Sequence, residues 1–300
     1  MADFANLVIG VDTSGLKRGE RDVKSFGGSA KKSFNAVALA ATAALGAFVS
    51  LGSAVRIIAE FETSISRLGA VSRATGSELK ALRDISKELG STTEFSASQA
   101  ADGLNFLAMA GFNAAEALAA IPSVLDLATA SGLGLAEAAD TASNIMSGFG
   151  IEAKNAAQVA DVLAAASTRA NTTVGQLGAA MSTVAPIAAA LDMTLSDTAA
   201  AIGVLSDAGI QGERAGTALR GVLASLAGPT SEAEKVLKGL GLTLADVDPA
   251  ANDLSVVMAR LGAAGLSTAD AMTLFGREAA SGALVLIDGA NRVGEFGDEL

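Results

Sequence analysis

Apolar side chains recur every three or four residues through most of this chain, which is the spacing of one face of an α-helix. Two such stripes follow residue 55 and are separated by a helix-start signal at Gly76-Ser77. The stripes are Ile58, Phe61, Ile65, Leu68 and either Val71 or Ser72, then Leu79, Leu82, Ile85 and Leu89. They predict two amphipathic helices that pack on the domain that follows.

From Ser96 the chain repeats itself weakly, with a period of about 38 residues. The matching segments are 99–102 with 137–140, 109–112 with 146–149, and 124–125 with 162–163. A third copy begins near Thr173. Capping-box patterns at Ser96, Asn113 and Thr173 mark helix starts. We therefore expect stacked antiparallel hairpins, each a helix pair, rather than a solenoid of precise repeats.

The predicted fold class is all-α, built from alanine-rich antiparallel helical hairpins, with one short β-strand at Asn6–Val11. Alanine accounts for 66 of the 300 residues and glycine for 33. Alanine favours helices and lets their backbones approach closely, whereas glycine interrupts them. Pro122 and Pro186 are predicted to begin new helical segments or to kink existing ones. The predicted divisions are a strand and basic helix at 1–32, an uncharged helix at 33–55, a helical core at 56–228, and further helices at 229–300.

An uncharged run of 23 residues extends from Ser33 to Val55, long enough to cross the hydrocarbon of a bilayer. Alanine and glycine supply most of it, so insertion would depend on a few larger side chains. These are Leu39, Leu45, Phe48, Val49 and Leu51. Two interpretations stay open, a buried or self-associating helix and a conditional membrane segment.

The absence of histidine and cysteine excludes the usual zinc sites and the Ser-His and Cys-His mechanisms. A calcium loop at Asp246–Asn252 lacks a ligand and a turn glycine, so helix capping is the better interpretation. Glu137 and Asp140 share a helix face, but no apolar, aromatic residues surround them, so we interpret them as surface residues and not as an acid–base pair. The sequence predicts no catalytic residues, no cofactor and no metal, and hence no enzyme.

The net charge of −11 opposes binding to nucleic acid, which depends on clustered lysine and arginine. Between Ser91 and Gly212 there are 11 acidic residues and only two basic ones, Lys154 and Arg169. A solvated acidic face and a functional acidic lining both fit this imbalance. No sequence-specific nucleic-acid binding is expected.

One motif resembles the most recognisable segment of bacteriophage tail tape-measure proteins. It runs from Gly209 to Arg220, and shorter family-like segments occur in order across about residues 55–228. The family positions that we assign to helix packing are Gly209, Ile210, Gly212, Ala215, Gly216, Thr217, Leu219 and Arg220.

The resemblance implies a mostly helical scaffold around which tail-tube subunits assemble and whose length sets the length of the tail. Implied partners are the tail-tube protein, tail-assembly chaperones, tail-tip proteins and the host membrane, with several copies of the chain in one tail. The implied locations are the virion tail, the host cytoplasm during assembly, and the host inner membrane during infection, where the protein would assist DNA passage.

At 1.5 Å per residue, 300 helical residues reach only about 450 Å, which is short for a protein that sets the length of a tail. The chain also ends without a closing helix after Gly294–Asp298, so we expect the amino-terminal portion of a longer protein. The alternative function is a membrane-active helical pore former or effector in which Ser33–Val55 inserts.

Overall fold

A computed structural model describes residues 56–300 of the chain. The predicted strand at Asn6–Val11, the basic helix of 1–32 and the run Ser33–Val55 lie outside the described residues and remain predictions. Residues Glu60–Leu300 form one compact unit.

Helices are the only regular elements in residues 56–300, which confirms the all-α prediction for that part of the chain. They are α1 (56–72), α2 (Gly76–Thr92), α3 (Ala97–Met109), α4 (Ala114–Ser131), α5 (Leu135–Phe149), α6 (Ala156–Arg169), α7 (Val174–Ala190), α8 (Leu195–Asp207), α9 (Glu213–Ala227), α10 (Ser231–Gly239), α11 (Leu244–Val247), α12 (Leu254–Ala263), α13 (Thr268–Asp288) and α14 (Ala290–Glu299). One 3-10 turn, Ala153–Asn155, precedes α6.

The helices stack in two layers. In one layer α2, α3, α5, α7, α9 and α13 each pack against the next, and in the other α4, α6, α8, α14 and α12 do the same. The joining loops are short, so consecutive helices run antiparallel and like helices of successive hairpins lie side by side. Each hairpin therefore buries its apolar faces mainly on its neighbours.

The stack is more regular than the sequence repeat suggested. The helices α3, α5, α7 and α9 start at residues 97, 135, 174 and 213, which are 38, 39 and 39 residues apart. The third copy predicted at Thr173 is confirmed as the cap of α7, and α9 begins a fourth helix in the same series.

The three predicted capping boxes are all present. Ser96, Asn113 and Thr173 each accept a hydrogen bond from the backbone N–H three residues ahead, and the Gln or Glu at that position accepts one in return. These reciprocal bonds satisfy backbone donors that a helix start would otherwise leave without partners. The starts of α3, α4 and α7 are thus fixed by local sequence.

The two prolines do not begin new helical segments, so that part of the prediction is wrong. Pro122 lies inside α4 and Pro186 inside α7, and both helices continue through them. Both prolines are on the exposed side of their helices. Packing of the opposite, buried face outweighs the loss of one backbone hydrogen bond.

The predicted stripes on α1 and α2 supply the first part of the core. Phe61, Ile65 and Leu68 are buried from α1 and Leu82 from α2. Arg83 of α2 forms a bidentate pair with Glu62 of α1, and its guanidinium lies 5.7 Å from the Phe61 ring centre. This hydrogen-bonded arginine holds the pKa of the Glu62 carboxyl below its usual value.

Candidate functional site

The family-like motif begins where α8 ends. The Gly209 amide donates to Ser206 O at 3.0 Å and the Ile210 amide to Leu205 O at 2.9 Å, which closes the last turn of α8. Gly209 has a φ of 86°, in the left-handed region that glycine enters without a steric penalty. The end of α8 before Gly209 therefore has a backbone cause.

Gly212 stands immediately before α9 with φ 58° and ψ −139°. Residues with a Cβ are excluded from this conformation by collision with their own backbone. Open space surrounds the position a Cβ would take, so backbone conformation and not crowding requires glycine here. The Gly209 and Gly212 pair turns the chain sharply between α8 and α9.

We expect Gly212→Ala to lower the free energy of unfolding by about 1–3 kcal/mol, because alanine must either adopt a strained conformation or displace the start of α9. Urea unfolding of the purified chain measures the change. An alanine variant as stable as the parent would show that the turn accommodates a Cβ and would refute the backbone argument.

A cluster of polar side chains links this turn to two other parts of the stack. Gln211 Nε2 donates to Asn171 O at 2.5 Å, and the Asn171 amide donates to Asp207 Oδ1 at 2.6 Å. The other carboxylate oxygen of Asp207 pairs with Arg292 of α14. The loops after α6 and α8 and the helix α14 are therefore joined at one corner.

The helix α9 touches α7 without intervening side chains. A Cβ added to Gly216 would lie 2.4 Å from Ala180 O and 2.8 Å from Ala180 Cα. Ala215 beside it is fully buried. The two backbones are thus in contact at this point, which only glycine on α9 permits.

On its other side α9 meets α13 in the same way. A Cβ on Gly221 would lie 2.8 Å from the Cβ of Ala279, and a Cβ on Gly282 would lie 2.8 Å from the Cβ of Ala218. Glycine and alanine alternate across the interface so that each occupies the space that the other leaves. The helix is held between two close neighbours along most of its length.

The predicted motif positions occupy different environments. Ala215, Gly216 and Leu219 are buried, Ile210, Gly212 and Thr217 are half-buried, and Gly209 and Arg220 are exposed. Their partners Ala180, Ala279 and Gly282 were not identified from the sequence. The only signal for them was a small residue within a helical apolar stripe, which does not specify the opposing helix.

The exposed side of the motif carries mixed charge. Ile210, Glu213, Arg214 and Thr217 line a surface groove together with Glu278 of α13. Both signs of charge are present at the surface, which is typical of a solvated helix face.

No group of acidic side chains in residues 56–300 is placed to hold a metal ion. The loop considered as a calcium site is a cap: Asp246 and Thr243 form a capping box, and Asn252 Nδ2 donates to Asp248 O at 3.1 Å. Hydrogen bonds from Thr243 hold the pKa of the Asp246 carboxyl below its usual value. Such a carboxyl stays ionised, the opposite of what a general acid requires.

One described helix is long and apolar enough to cross a membrane, the 18-residue α4, Ala114–Ser131. Its apolar side chains include Ile121, Val124, Leu125 and Leu127, all buried in the stack. Packing within the unit therefore accounts for its composition.

The chain is similar in sequence to tail proteins of two bacteriophages. Over 242 residues the chain is 38% identical to the tape measure protein of Pneumococcus phage Dp-1, covering 79% of this chain and 21% of that protein. It is 31% identical over 242 residues to the probable tape measure protein of Escherichia phage P2, covering 77% of this chain and 30% of that protein. The chain thus spans between a fifth and a third of the length of these relatives.

No solved structure matches the chain. The family model described as phage-related minor tail protein matches residues 83–276, from the middle of α2 to the middle of α13. The match includes the loop from Gly209 to Gly212 and the whole of α9. The chain therefore belongs to the phage-related minor tail protein family.

Proposed function

We propose that this chain is part of a tail tape-measure protein, a structural scaffold that sets tail length while the tail tube assembles around it. The observation that carries the proposal is the similarity of 242 residues to two tape measure proteins. The stacked hairpins supply a closely packed framework, in which α7 and α9 meet backbone to backbone at Gly216 and Ala180. The proposal includes the absence of enzymatic activity.

The proposed partners are the tail-tube protein and the tail-assembly chaperones, with tail-tip proteins as further contacts and several copies of the chain in each tail. The proposed locations are the virion tail and, during assembly, the host cytoplasm. The layer that contains α3, α5, α7 and α9 offers a regular surface for such partners, because these helices start 38–39 residues apart.

Co-purification tests the proposed partners directly. The chain is expressed with the tail-tube protein and the chaperones of the same genome, and each is sought in the affinity-purified material. We expect at least one of them to be retained at a constant ratio, and a same-sized unrelated helical protein to retain none. If neither the tail-tube protein nor a chaperone is found in the purified material, the proposed assembly role is refuted.

The acidic hairpins support a passive role towards DNA. Both basic residues between Ser91 and Gly212 are already paired, Lys154 with Glu152 and Arg169 with Glu299. The remaining negative charge would repel a phosphate backbone rather than bind it. DNA could slide past such a surface in a tail tube without binding to it. We therefore propose that the protein assists the passage of DNA.

The membrane role rests on the sequence of Ser33–Val55 alone. If this run inserts during infection, replacing Leu45 and Phe48 together by aspartate should abolish flotation of the chain with liposomes, because a charge at the centre of a helix strongly opposes insertion. Replacing Leu244 and Met272, which are exposed elsewhere, by aspartate is the matched control. Equal flotation of both variants, or no flotation of the parent chain, would refute the membrane segment.

A further inference from the structure

The helix α13 is bent at one residue. Within Thr268–Asp288 only Gly276 departs from helical geometry, with φ 74° and ψ 166°. A first half of eight residues therefore ends at Phe275, and a second half begins at Arg277. Glycine alone adopts this combination of angles readily.

Crowding around position 276 does not explain why the residue there is glycine. No atom lies within 4 Å of the position that a Cβ would occupy, and Gly276, Arg277 and Glu278 are all exposed. Glycines elsewhere in the stack, such as Gly216 and Gly221, are in close contact with a neighbouring helix. The role of glycine at 276 is therefore conformational and not steric.

The bend lacks the side-chain cap that four other helix junctions have. At these four a residue of positive φ is followed two residues later by a side chain that caps the next helix. These pairs are Gly111 with Asn113, Asp192 with Thr194, Gly241 with Thr243, and Gly265 with Ser267. Gly276 offers no capping side chain, as Gly212 offers none before α9, so the packing of α13 on α9, α10 and α12 maintains the bend together with the dihedral angles of Gly276.

The apolar stripe of α13 continues across the bend. The buried positions Ala271, Phe275, Ala279, Ala283 and Leu286 follow one another at intervals of three or four residues through Gly276. If the helix were straight, these side chains would all lie on one face. The sequence is thus compatible with a single uninterrupted helix as well as with the bent form.

We propose that Gly276 is a hinge at which α13 converts between the bent form and one continuous helix of 21 residues. The second half is fixed to α9 through the Gly221–Ala279 and Gly282–Ala218 contacts, so straightening moves the first half. The helices α10 and α12 pack against α13 and precede it in the chain. The hinge would therefore move the segment from α10 to Phe275 relative to the second half of α13, and the contact of α12 with α14 would change with it.

Pulsed electron–electron double resonance can measure this conversion. The chain has no cysteine, so spin labels attach only where cysteines are introduced. Labels are attached through M272C and D288C, at two exposed positions on either side of the hinge. A continuous helix places these Cα atoms roughly 24 Å apart. The bent form brings them closer together.

Gly276→Ala in the labelled chain is the test. Alanine is strained at the angles of the bend and favours the helix, so we expect the ratio of straight to bent molecules to rise about 30-fold. A second peak near the straight-helix separation should appear, with unchanged helix content by circular dichroism. Gly175→Ala, at a helical glycine whose added Cβ would have no neighbour closer than 3.8 Å, is the matched control and should leave the distances unchanged.

Three results would overturn the hinge. The first is a Gly276→Ala distance distribution identical to that of the parent. The second is loss of helical signal as the distances broaden, which would indicate local unfolding instead of straightening. The third is the same shift in the Gly175→Ala control.

Discussion

Gly216→Ala is expected to lower the free energy of unfolding by about 3 kcal/mol, one of the two largest losses of stability that we predict. A single added methyl group would lie 2.4 Å from the carbonyl oxygen of Ala180, and that atom belongs to the backbone of α7 and cannot rotate away. The strain of separating α7 from α9 exceeds the gain of about 1 kcal/mol that alanine offers over glycine in a helix. Urea unfolding followed by circular dichroism measures the difference.

Gly175→Ala makes the same chemical change in α7 at a place where the nearest atom, Glu137 Oε1, is 3.8 Å away. The propensity gain is then unopposed, so this variant should be unchanged or more stable by up to about 1 kcal/mol. If both variants had the same stability, the close contact between α7 and α9 would not be a determinant of the fold.

Leu219→Ala is expected to remove about 2–5 kcal/mol of stability, because this side chain is fully buried and its loss leaves a cavity in addition to the lost transfer energy. The position lies in α9, between the Gly216 contact with α7 and the Gly221 contact with α13. Both neighbouring helices lie close to α9, α7 through its backbone at Ala180 and α13 through the Cβ of Ala279, so the site can collapse little around the cavity. The effect should therefore lie in the upper part of that range.

Leu244→Ala is the matched control, since this leucine is 48% exposed. Its replacement should change stability by less than about 1 kcal/mol. Thermal and urea unfolding of both variants give the comparison. A loss at position 219 no greater than at position 244 would mean that α9 is not at the centre of the core.

Local signals in the sequence predicted much of the fold. The capping boxes at Ser96, Asn113 and Thr173 depend on residues within one helical turn, and the structure confirms them. The centre of the first apolar stripe is buried as predicted, whereas its ends, Ile58 and Val71, are exposed. The repeat of about 38 residues predicted the hairpins because each copy carries its own local helix signals. Such features can be read from sequence because their partners are neighbours in the chain.

Contacts between distant residues could not be predicted in this way. The pairs Gly216 with Ala180 and Gly282 with Ala218 depend on the rotation and height of each helix in the stack. Glycine and alanine are frequent throughout the chain, so their presence does not identify which residues meet. Of the two alternatives predicted for Pro122, the start of a new helical segment did not occur, because tertiary packing outweighed a local preference.

The bend at Gly276 is a local feature that the sequence pattern also does not reveal. Thr268–Asp288 carries one apolar stripe, and the pattern by itself predicts a straight helix. A glycine within such a stripe is compatible with a helical residue, a close contact or a positive φ. Only the backbone angles of the structure distinguish these uses.

Electron microscopy of tails tests the scaffold role most directly. The gene for the full-length protein is deleted from its phage or prophage and then restored as the parent or with Gly216→Ala or Gly175→Ala. We expect no tails of uniform length after deletion, normal tails with the parent and Gly175→Ala, and few or irregular tails with Gly216→Ala. Tails of normal number and uniform length in the deletion strain would contradict the account.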